Sequence, residues 1–236
     1  MKVLILSTET KHHTYFINKL AEYHNICGII YERRKLKKQY NTGPFFEKEE
    51  NEYENKFFDE VQDTFSNALN KKIISLHSVN DNHIRAYITS LAPDIAISFG
   101  TGIIKPYIFK IPTMGTINVH RGYIQKYRGL DSDLWAMYNK EFDNIGTTIH
   151  FVDDNLDTGA ILAQENVIIT KEDMIYHMRY RTTCIAAKLV NGVLKNLEKS
   201  ECELNYQVTV GTYYSAMSLD NKYKALQNFQ EYKELL

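Results

Sequence analysis

Cysteine and proline are scarce in this sequence, neither sign of charge is in excess, and no long apolar run is present. The 3 cysteines, at positions 27, 184 and 202, form no CxxC pair and no disulfide framework, which is typical of a protein of the reducing cytoplasm. The 28 basic side chains balance 29 acidic ones, so we expect no nucleic-acid partner and no anionic membrane partner. Without a run of about 18 apolar residues, a membrane span is excluded.

Apolar runs and helical spacings alternate along the first part of the chain. Lys2–Leu6 and Ile26–Tyr31 are compact apolar runs typical of strands, and Tyr15–Tyr23 between them has the spacing of a helix. This order predicts a βαβ unit and therefore a parallel sheet. The turn after the first strand has no G-x-G-x-x-G motif, so the main signal of a dinucleotide site is missing.

The alternation resumes after an irregular segment at residues 33–72, which predicts a solvated helix or a surface insertion. Alternatively, one or two basic side chains of that segment contact substrate phosphates. We expect an α/β protein with a Rossmann-like, mostly parallel sheet flanked by helices over residues 1–200, and a short C-terminal β/α extension over residues 201–236. The remaining predicted strands are Ile73–Leu76, Asp94–Phe99, Gly115–His120, Ile145–Val152, Ala160–Thr170 and Gln207–Tyr214, and the remaining predicted helices are His83–Leu91, Asp131–Lys140, Glu172–Leu197 and a charged C-terminal segment.

Asn118 and His120 stand at the end of one predicted strand and are the first candidates for chemistry. Residues two apart in a strand point to the same face. Both side chains therefore project together at the carboxyl end of an internal parallel strand, where open α/β sheets bind ligands. Taken alone, His120 is better explained as a core histidine and Asn118 as a turn former.

Two later segments add polar groups to this pair. The loop Tyr127-Arg128-Gly129 follows the histidine, and the strand 146–150 leads into a loop with aspartates at positions 153, 154 and 157. A histidine beside a carboxylate has its tautomer fixed and its cation stabilised, which suits proton transfer near neutral pH. These segments therefore favour an acid–base site at this end of the sheet.

In this order and spacing, with Asp157 seven residues after His150, the segments resemble those of the folate-dependent formyltransferase family. That family includes glycinamide ribonucleotide formyltransferase, methionyl-tRNA formyltransferase and the sugar-nucleotide N-formyltransferases, and the last are the most similar. The resemblance implies that residues 1–200 are a catalytic domain that moves a formyl group from the co-substrate N10-formyltetrahydrofolate to an amine, with no metal. Asn118 would donate to the formyl oxygen, His120 would accept the proton of the amine, and Asp157 would pair with that histidine.

The resemblance also implies two sets of binding residues. The first set lies beside the folate and comprises Phe99, Gly100, Thr101, Gly102, Ile103, Ile104, Asp153, Asp154 and Asn155. The second set faces the amine acceptor and comprises Arg121, Tyr123, Tyr127, Arg128, Trp135 and His150. Arg121 is a fixed cation and a bidentate donor suited to phosphate or carboxylate, although a surface arginine would serve as well at such a loop.

The acceptor expected from the resemblance is a small molecule, a nucleotide-linked amino-dideoxy sugar of the kind used in O-antigen biosynthesis. Trp135 matches a tryptophan common in that branch, and residues 207–214 resemble the β element through which its members dimerise, so a homodimer is expected. The alternatives are glycinamide ribonucleotide or another small amine as acceptor, and a non-catalytic folate- or nucleotide-binding relative. Methionyl-tRNA is disfavoured because it would call for a second, basic domain.

The triplet Asp157-Thr158-Gly159 is also the signature of an aspartic protease. That chemistry needs two carboxylates that share a proton. The triplet occurs once and the pattern is βαβ, so this reading is rejected. The sequence leaves open which sugar, which nucleotide and which carbon of the sugar are involved.

Overall fold

A central mixed sheet organises the protein, and the computed structural model describes residues 1–33, 40–58, 67–70 and 72–236. Within them the strands are β1 (Lys2–Ser7), β2 (Asn25–Glu32), β3 (Ile73–Leu76), β4 (Ile95–Phe99), β5 (Thr116–His120), β6 (Tyr127–Gly129), β7 (Gly146–Phe151), β8 (Ile161–Asn166) and β9 (Thr212–Tyr214). Seven of them form one sheet in the order β3-β2-β1-β4-β5-β7-β8. Its strands from β3 to β5 are parallel, and β7 and β8 are antiparallel to their neighbours.

Helices cover both faces of the sheet. They are α1 (Lys11–Ala21), α2 (Glu47–Phe58), α3 (Asn67–Asn70), α4 (Asn82–Leu91), α5 (Pro106–Phe109), α6 (Ser132–Tyr138), α7 (Met178–Glu198) and α8 (Leu219–Leu235). Alternate residues of β1 point to opposite faces. Val3 and Ile5 share a core with α1 and α7, whereas Leu4 and Leu6 share one with α4 and α5. The predicted α/β class with a mostly parallel sheet is therefore confirmed.

The first helix begins one turn earlier than the predicted Tyr15, at Lys11. This first turn contains His12 and His13, which are polar residues by type and yet are buried. His13 packs edge-on against Phe99 at the end of β4, with ring centroids 4.4 Å apart. The turn is therefore held by tertiary packing that hydrophobic periodicity does not register.

The long helix α7 begins at Met178, later than the predicted Glu172. Residues 175–177 form a 3-10 turn ahead of it. In addition, a carboxylate oxygen of Asp173 accepts the backbone N–H of Thr170 at 2.8 Å, which closes a turn of the chain before the helix. Local side-chain-to-backbone bonds of this kind compete with helix formation.

The C-terminal extension packs on the outer side of α6. Its strand β9 is shorter than the predicted segment 207–214 and pairs in parallel with β6 in a separate two-stranded sheet. In α8, Phe229 is buried and the amide of Asn228 donates to the carbonyls of Met137 and Tyr138 at the end of α6. The extension therefore fixes the segment that follows β5.

The segment 33–72 contributes α2, whose Phe58 stacks on Tyr15 of α1 with ring centroids 4.3 Å apart. Since Glu54 and Phe58 are buried, α2 is only partly solvated. Of the basic run, Arg33 forms an exposed pair with Glu9, and residues 34–39 lie outside the described residues. None of the helices that can be described has the length and apolar character needed to cross a membrane.

Candidate active site

The end of β5 brings together the side chains that the sequence singled out. The antiparallel register of β5 and β7 sets Asn118 opposite His150. The Nδ2 group of Asn118 lies 3.2 Å from Nε2 of His150. The carboxylate of Asp157, from the loop after β7, lies 3.6 Å from His150 Nε2 and 3.7 Å from His120 Nδ1. Four residues from three segments thus converge on one point.

Asp157 is held as an anion in a strained backbone position. Its φ of 53° is in the left-handed region, which a non-glycine residue adopts at a cost. Its Oδ2 accepts the backbone N–H of Gly129 at 2.9 Å. Burial alone would raise the pKa of this carboxyl, but His150, His120 and that N–H outweigh burial and lower the pKa to about 2. Asp157 is therefore ionised at neutral pH.

The hydrogen bonds of His120 fix its tautomer. Nε2 lies 2.8 Å from the carbonyl oxygen of Tyr127 and 3.1 Å from the Ser132 hydroxyl. A carbonyl can only accept, so Nε2 carries the hydrogen and Nδ1 presents its lone pair toward Asp157. Burial lowers the pKa of His120 below 6.5, and the Asp157 anion only partly opposes this. The residue is therefore a neutral base at pH 7, with Nδ1 as the basic atom.

His150 has the complementary arrangement. Its Nδ1 lies 2.8 Å from the carbonyl oxygen of Phe151 and therefore carries the hydrogen. Its Nε2 then accepts from the amide of Asn118, which fixes which way that amide points. The second hydrogen of the Asn118 amide has no partner among the residues that the structure describes, so it remains free to donate to a bound molecule.

The predicted folate stretch leaves the sheet at the end of β4. Phe99 packs against the α1 histidines, and Gly100 has a φ of +80° with an imidazole behind it: a Cβ there would lie 2.7 Å from Nε2 of His13. Thr101 shares a hydrogen bond with the Ser98 hydroxyl at 2.8 Å. Ile104 is buried in the core, while Ile103 is 67% exposed. The stretch therefore presents backbone groups and one apolar side chain outward.

The other predicted folate residues form the turn after β7. Asp153 Oδ1 accepts the N–H of Asn155 at 3.1 Å and the Thr158 hydroxyl at 2.7 Å. Asp154 is exposed and pairs with Lys110 at 3.3 Å. The Asp153 carboxylate thus shapes the turn that carries Asp157.

Three of the predicted acceptor residues tie loops together. Arg128 donates from Nε to the Gly211 carbonyl at 2.6 Å and from a terminal nitrogen to the Leu156 carbonyl at 2.9 Å. Trp135 Nε1 donates to the Ser215 carbonyl at 3.1 Å. The phenol of Tyr127 is buried, accepts a hydrogen bond from Asn139, and has its pKa raised by burial. Tyr123 is half-buried in the loop between β5 and β6.

Arg121, the residue after His120, lines a polar cleft of about 240 Å³. The guanidinium forms no ion pair or hydrogen bond within the described part of the chain. Burial raises the pKa of Asp133 on the same wall, which Arg121 opposes, and it raises the pKa of Glu50 to about 7 in spite of Arg179. The other lining residues are Phe45, Phe46, Glu47, Asp131, Leu134, Ile175, Tyr176 and Lys222.

Sequence reasoning missed several of these groups. Ser132 lies in the predicted helix Asp131–Lys140, and its place in the sequence does not indicate that its hydroxyl lies 3.1 Å from Nε2 of His120. Glu50 and Glu54 of α2 pair with Arg179 of α7 at 2.5 and 2.6 Å, across more than a hundred residues of sequence. In the sequence, the only local indication of these ion pairs is the acidic stretch within residues 33–72. Within the described ranges, no group of three or more His, Cys, Asp and Glu side chains is arranged to hold a metal ion.

Comparison with known proteins places this site in a family context. The family model described as "Formyl transferase" matches residues 31–194. Among sequence relatives, a methionyl-tRNA formyltransferase of Pelotomaculum thermopropionicum is 35% identical over 132 residues, 55% of this chain and 42% of that protein. The chain thus matches less than half the length of such curated relatives.

Two solved structures resemble the protein over nearly its whole length. A sugar N-formyltransferase from a Shewanella species is 18% identical with a TM-score of 0.64, covering 97% of this chain and 87% of that one. The formyltransferase PseJ from Anoxybacillus kamchatkensis, in complex with UDP-4,6-dideoxy-4-formamido-L-AltNAc and tetrahydrofolate, is 23% identical with a TM-score of 0.54, covering 96% and 90%. At these identities the likeness concerns the fold.

Proposed function

Because the chain belongs to the formyl transferase family, we propose that it transfers a formyl group from N10-formyltetrahydrofolate to the amine of a nucleotide-linked amino sugar. The observation that carries the proposal is the convergence of Asn118, His120 and Asp157 at the end of β5. An oriented amide donor, a neutral imidazole and a buried carboxylate are the groups that amine formylation requires.

The stretch at the end of β4 fits a folate co-substrate. Gly100 leaves room where a side chain would meet His13, and the 67% exposed Ile103 offers an apolar surface to a flat ring. Bound there, N10-formyltetrahydrofolate would supply an electrophilic formyl carbon and an N10 leaving nitrogen. The free hydrogen of Asn118 would then donate to the formyl oxygen as negative charge develops on it.

His120 is the proton carrier in this scheme. Nδ1 accepts the proton that the amine loses as its nitrogen bonds to the formyl carbon, and Asp157 stabilises the resulting imidazolium. The same nitrogen can return the proton to N10 as the bond from N10 to the formyl carbon breaks, so that the residue ends neutral again. Ser132 and the Tyr127 carbonyl hold the ring in place throughout.

The polar cleft beside His120 supports a phosphate-bearing sugar as the acceptor. Arg121 offers a guanidinium that no described residue pairs with, and its fork geometry is the one that phosphate favours. Glu50 and Asp133, whose pKa values burial raises, can hydrogen-bond sugar hydroxyls. The sugar N-formyltransferase from Shewanella covers the C-terminal extension as well as the family region, which favours this branch over the methionyl-tRNA relatives.

A transfer assay tests both halves of the proposal. Purified protein is given N10-formyltetrahydrofolate with nucleotide-linked amino sugars, glycinamide ribonucleotide or methionyl-tRNA, and tetrahydrofolate release is followed. We expect turnover with at least one amino sugar. Turnover with only glycinamide ribonucleotide or methionyl-tRNA would refute the amino sugar as the acceptor. If none of the acceptors supports turnover, the proposed formyl transfer is refuted.

Variants of Arg121 test the cleft. Arg121→Gln should raise the KM of the acceptor about tenfold or more while leaving the KM of the folate unchanged, because a charged hydrogen bond to phosphate is lost. Arg85→Gln, at an exposed position of α4 on the other side of the sheet, is the matched control. Equal effects of the two variants would remove Arg121 from the acceptor site.

The assembly and the location are also part of the proposal. We infer a homodimer formed through residues 201–236, because this extension carries exposed apolar side chains next to the short strand β9. A cytoplasmic location is favoured by three cysteines that are all unpaired.

A further inference from the structure

A buried carboxylate that the catalytic scheme does not use lies at the end of β2. Glu32 is only 5% exposed. Its Oε2 accepts the backbone N–H of Gly102 at 2.6 Å, and its Oε1 accepts the backbone N–H of Val79 at 3.2 Å. Both oxygens are thus engaged by main-chain donors from two loops that are far apart in sequence.

A second side chain extends this brace along the same loop. Asn80, next to Val79, donates from Nδ2 to the carbonyl of Ile103 at 2.8 Å and accepts the N–H of Lys105 at 2.7 Å. Its own carbonyl accepts the Tyr107 hydroxyl. Glu32 and Asn80 therefore fix three backbone groups, at residues 102, 103 and 105, which lie outside any strand or helix.

The Glu32 carboxylate acts as an acceptor at both of its oxygens. Within the described residues the carboxylate forms no ion pair, and its stabilisation comes from backbone N–H groups alone. A buried charge needs such partners to be tolerated. A glutamine amide would accept only one of these two N–H groups, so the carboxylate is what joins both loops to β2.

The brace leaves two neighbouring backbone N–H groups without an acceptor among the described residues. The N–H groups of Thr101 and Ile103, on either side of the anchored Gly102, donate to no group in the part of the chain that can be described. Glu32 thus holds the Gly102 amide, while the amides on either side of it stay available within the described residues. Preorganised backbone donors of this kind recognise the acceptor atoms of a flat heterocycle without reorganisation on binding.

We propose that Glu32 and Asn80 are positioning residues that hold the backbone of residues 101–105 in the conformation that binds the pterin ring of the folate. The inference rests on the proposed function, because it takes this loop to be the folate site. Neither side chain reaches the reacting atoms. Their effect is on the affinity for folate, and the affinity for the amine acceptor is independent of them.

Calorimetric titration with tetrahydrofolate alone tests the inference without any acceptor. Glu32→Gln keeps the size of the side chain but turns an amide N–H₂ toward one of the two donors. Asn80→Asp keeps the acceptor toward Lys105 and removes the donor toward Ile103. Each variant should raise the Kd of tetrahydrofolate about tenfold, the equivalent of one well-placed hydrogen bond.

Asp94→Asn is the matched control. Asp94 also accepts a backbone N–H, that of Lys2 at 2.6 Å, but at the opposite end of the sheet, so its Kd should stay within about twofold of the wild type. In turnover assays, the two loop variants should raise the KM of the formyl donor and leave the KM of the acceptor unchanged. A purely structural role would instead lower the amount of active protein and leave both KM values intact.

The outcomes separate this inference from the proposed function. If the wild type binds tetrahydrofolate and both loop variants bind it as tightly as the wild type does, the positioning role is wrong and the proposed function stands. If the wild type does not bind tetrahydrofolate, the proposed function fails and the inference fails with it. Should Glu32→Gln not fold, as its melting curve would show, Asn80→Asp alone decides.

Discussion

Two imidazoles face one carboxylate in this site, and each has already committed one ring nitrogen to a backbone carbonyl. The other two nitrogens, Nδ1 of His120 and Nε2 of His150, lie 3.7 and 3.6 Å from the Asp157 carboxylate. A proton that arrives at either is stabilised by an anion whose pKa is about 2. The two rings differ in task, because His150 is also the acceptor for the Asn118 amide. In the proposed mechanism, acid–base work therefore falls to His120.

Replacement of Asp157 by asparagine should weaken this base. Burial holds the pKa of His120 below 6.5, and the Asp157 anion raises it toward that value. Without the anion the pKa falls further, so the acid limb of the kcat/KM profile should move to lower pH while kcat falls about a hundredfold or more. The pH–rate profile from pH 4 to 9 measures both effects.

Asp143→Asn, at an exposed position of the 3-10 turn before β7, is the control for that profile. It should match the wild type in rate and in the position of the acid limb. An acid limb that moves upward in Asp157→Asn, or a wild-type rate, would contradict the assigned pairing of His120 and Asp157.

His150 should act on the reaction through Asn118. His150→Phe keeps a ring of similar size but removes the acceptor that orients the Asn118 amide, so kcat should fall about tenfold with the folate KM unchanged. Asn118→Ala should lower kcat by about 10² to 10³. Combining the two should cost no more than Asn118→Ala alone, because the same donor is lost. Additive losses in this double-mutant cycle would give His150 a role of its own.

At the scale of elements, the short parallel pair β6–β9 connects the extension to the Asp157 carboxylate. The Gly129 N–H that Asp157 accepts belongs to β6. Gly129 has a φ of +93°, and a Cβ there would lie against the carbonyl oxygen of Tyr214 in β9. The hydrogen bond to the Asp157 carboxylate and the pairing of the extension thus depend on one glycine.

Gly129→Ala should therefore reduce both stability and rate. The backbone strain and the clash with β9 should lower the free energy of unfolding by about 1–3 kcal/mol, and kcat should fall because Asp157 loses its N–H donor. Gly192→Ala, at an exposed position of α7 with nothing within 4 Å of the added Cβ, should instead raise stability by about 0.5–1 kcal/mol. Urea unfolding of both variants checks this; a neutral Gly129→Ala would contradict it.

The elements show what the sequence can and cannot predict. The strands of the main sheet are apolar runs, so local pattern suffices to find them, and Asn118 and His120 follow from their place at the end of one. The strand β6 was predicted as a loop, because its three residues form a strand only by pairing with β9, more than 80 residues later. Likewise, no local signal shows that Glu50 meets Arg179 or that Ser132 meets His120. Contacts between distant segments are set by the fold, and periodicity does not report them.

At the scale of the whole molecule, the family model matches a shorter part of the chain than the similar solved structure covers. The family model ends at residue 194, whereas the similar Shewanella structure covers 97% of the chain. The family model leaves out residues 1–30 and the segment after residue 194, which includes the extension. In the extension, apolar side chains two residues apart are exposed, among them Tyr206 at 74% and Val208 at 99%. Within the described residues β9 pairs on one side only, with β6. An exposed apolar segment beside a free strand edge is a typical site of association.

A second copy of the chain is the partner that we expect on this surface. Light scattering at micromolar concentration should give the mass of a dimer, and Val208→Asp combined with Val210→Asp should give that of a monomer, because buried charges without partners oppose association. Tyr23→Asp is the matched control: Tyr23 is 64% exposed and lies beside β2, toward the other edge of the sheet from β8, so the dimer should persist. A wild-type monomer, or a dimer that survives the double substitution, would exclude this interface.

The extension also sets Gly129 against Asp157, so the state of assembly can affect the rate. If β9 stays paired with β6 in the monomeric variant, kcat should stay at the wild-type value. A fall in kcat that accompanies the loss of the dimer would show that dimerisation orders the site.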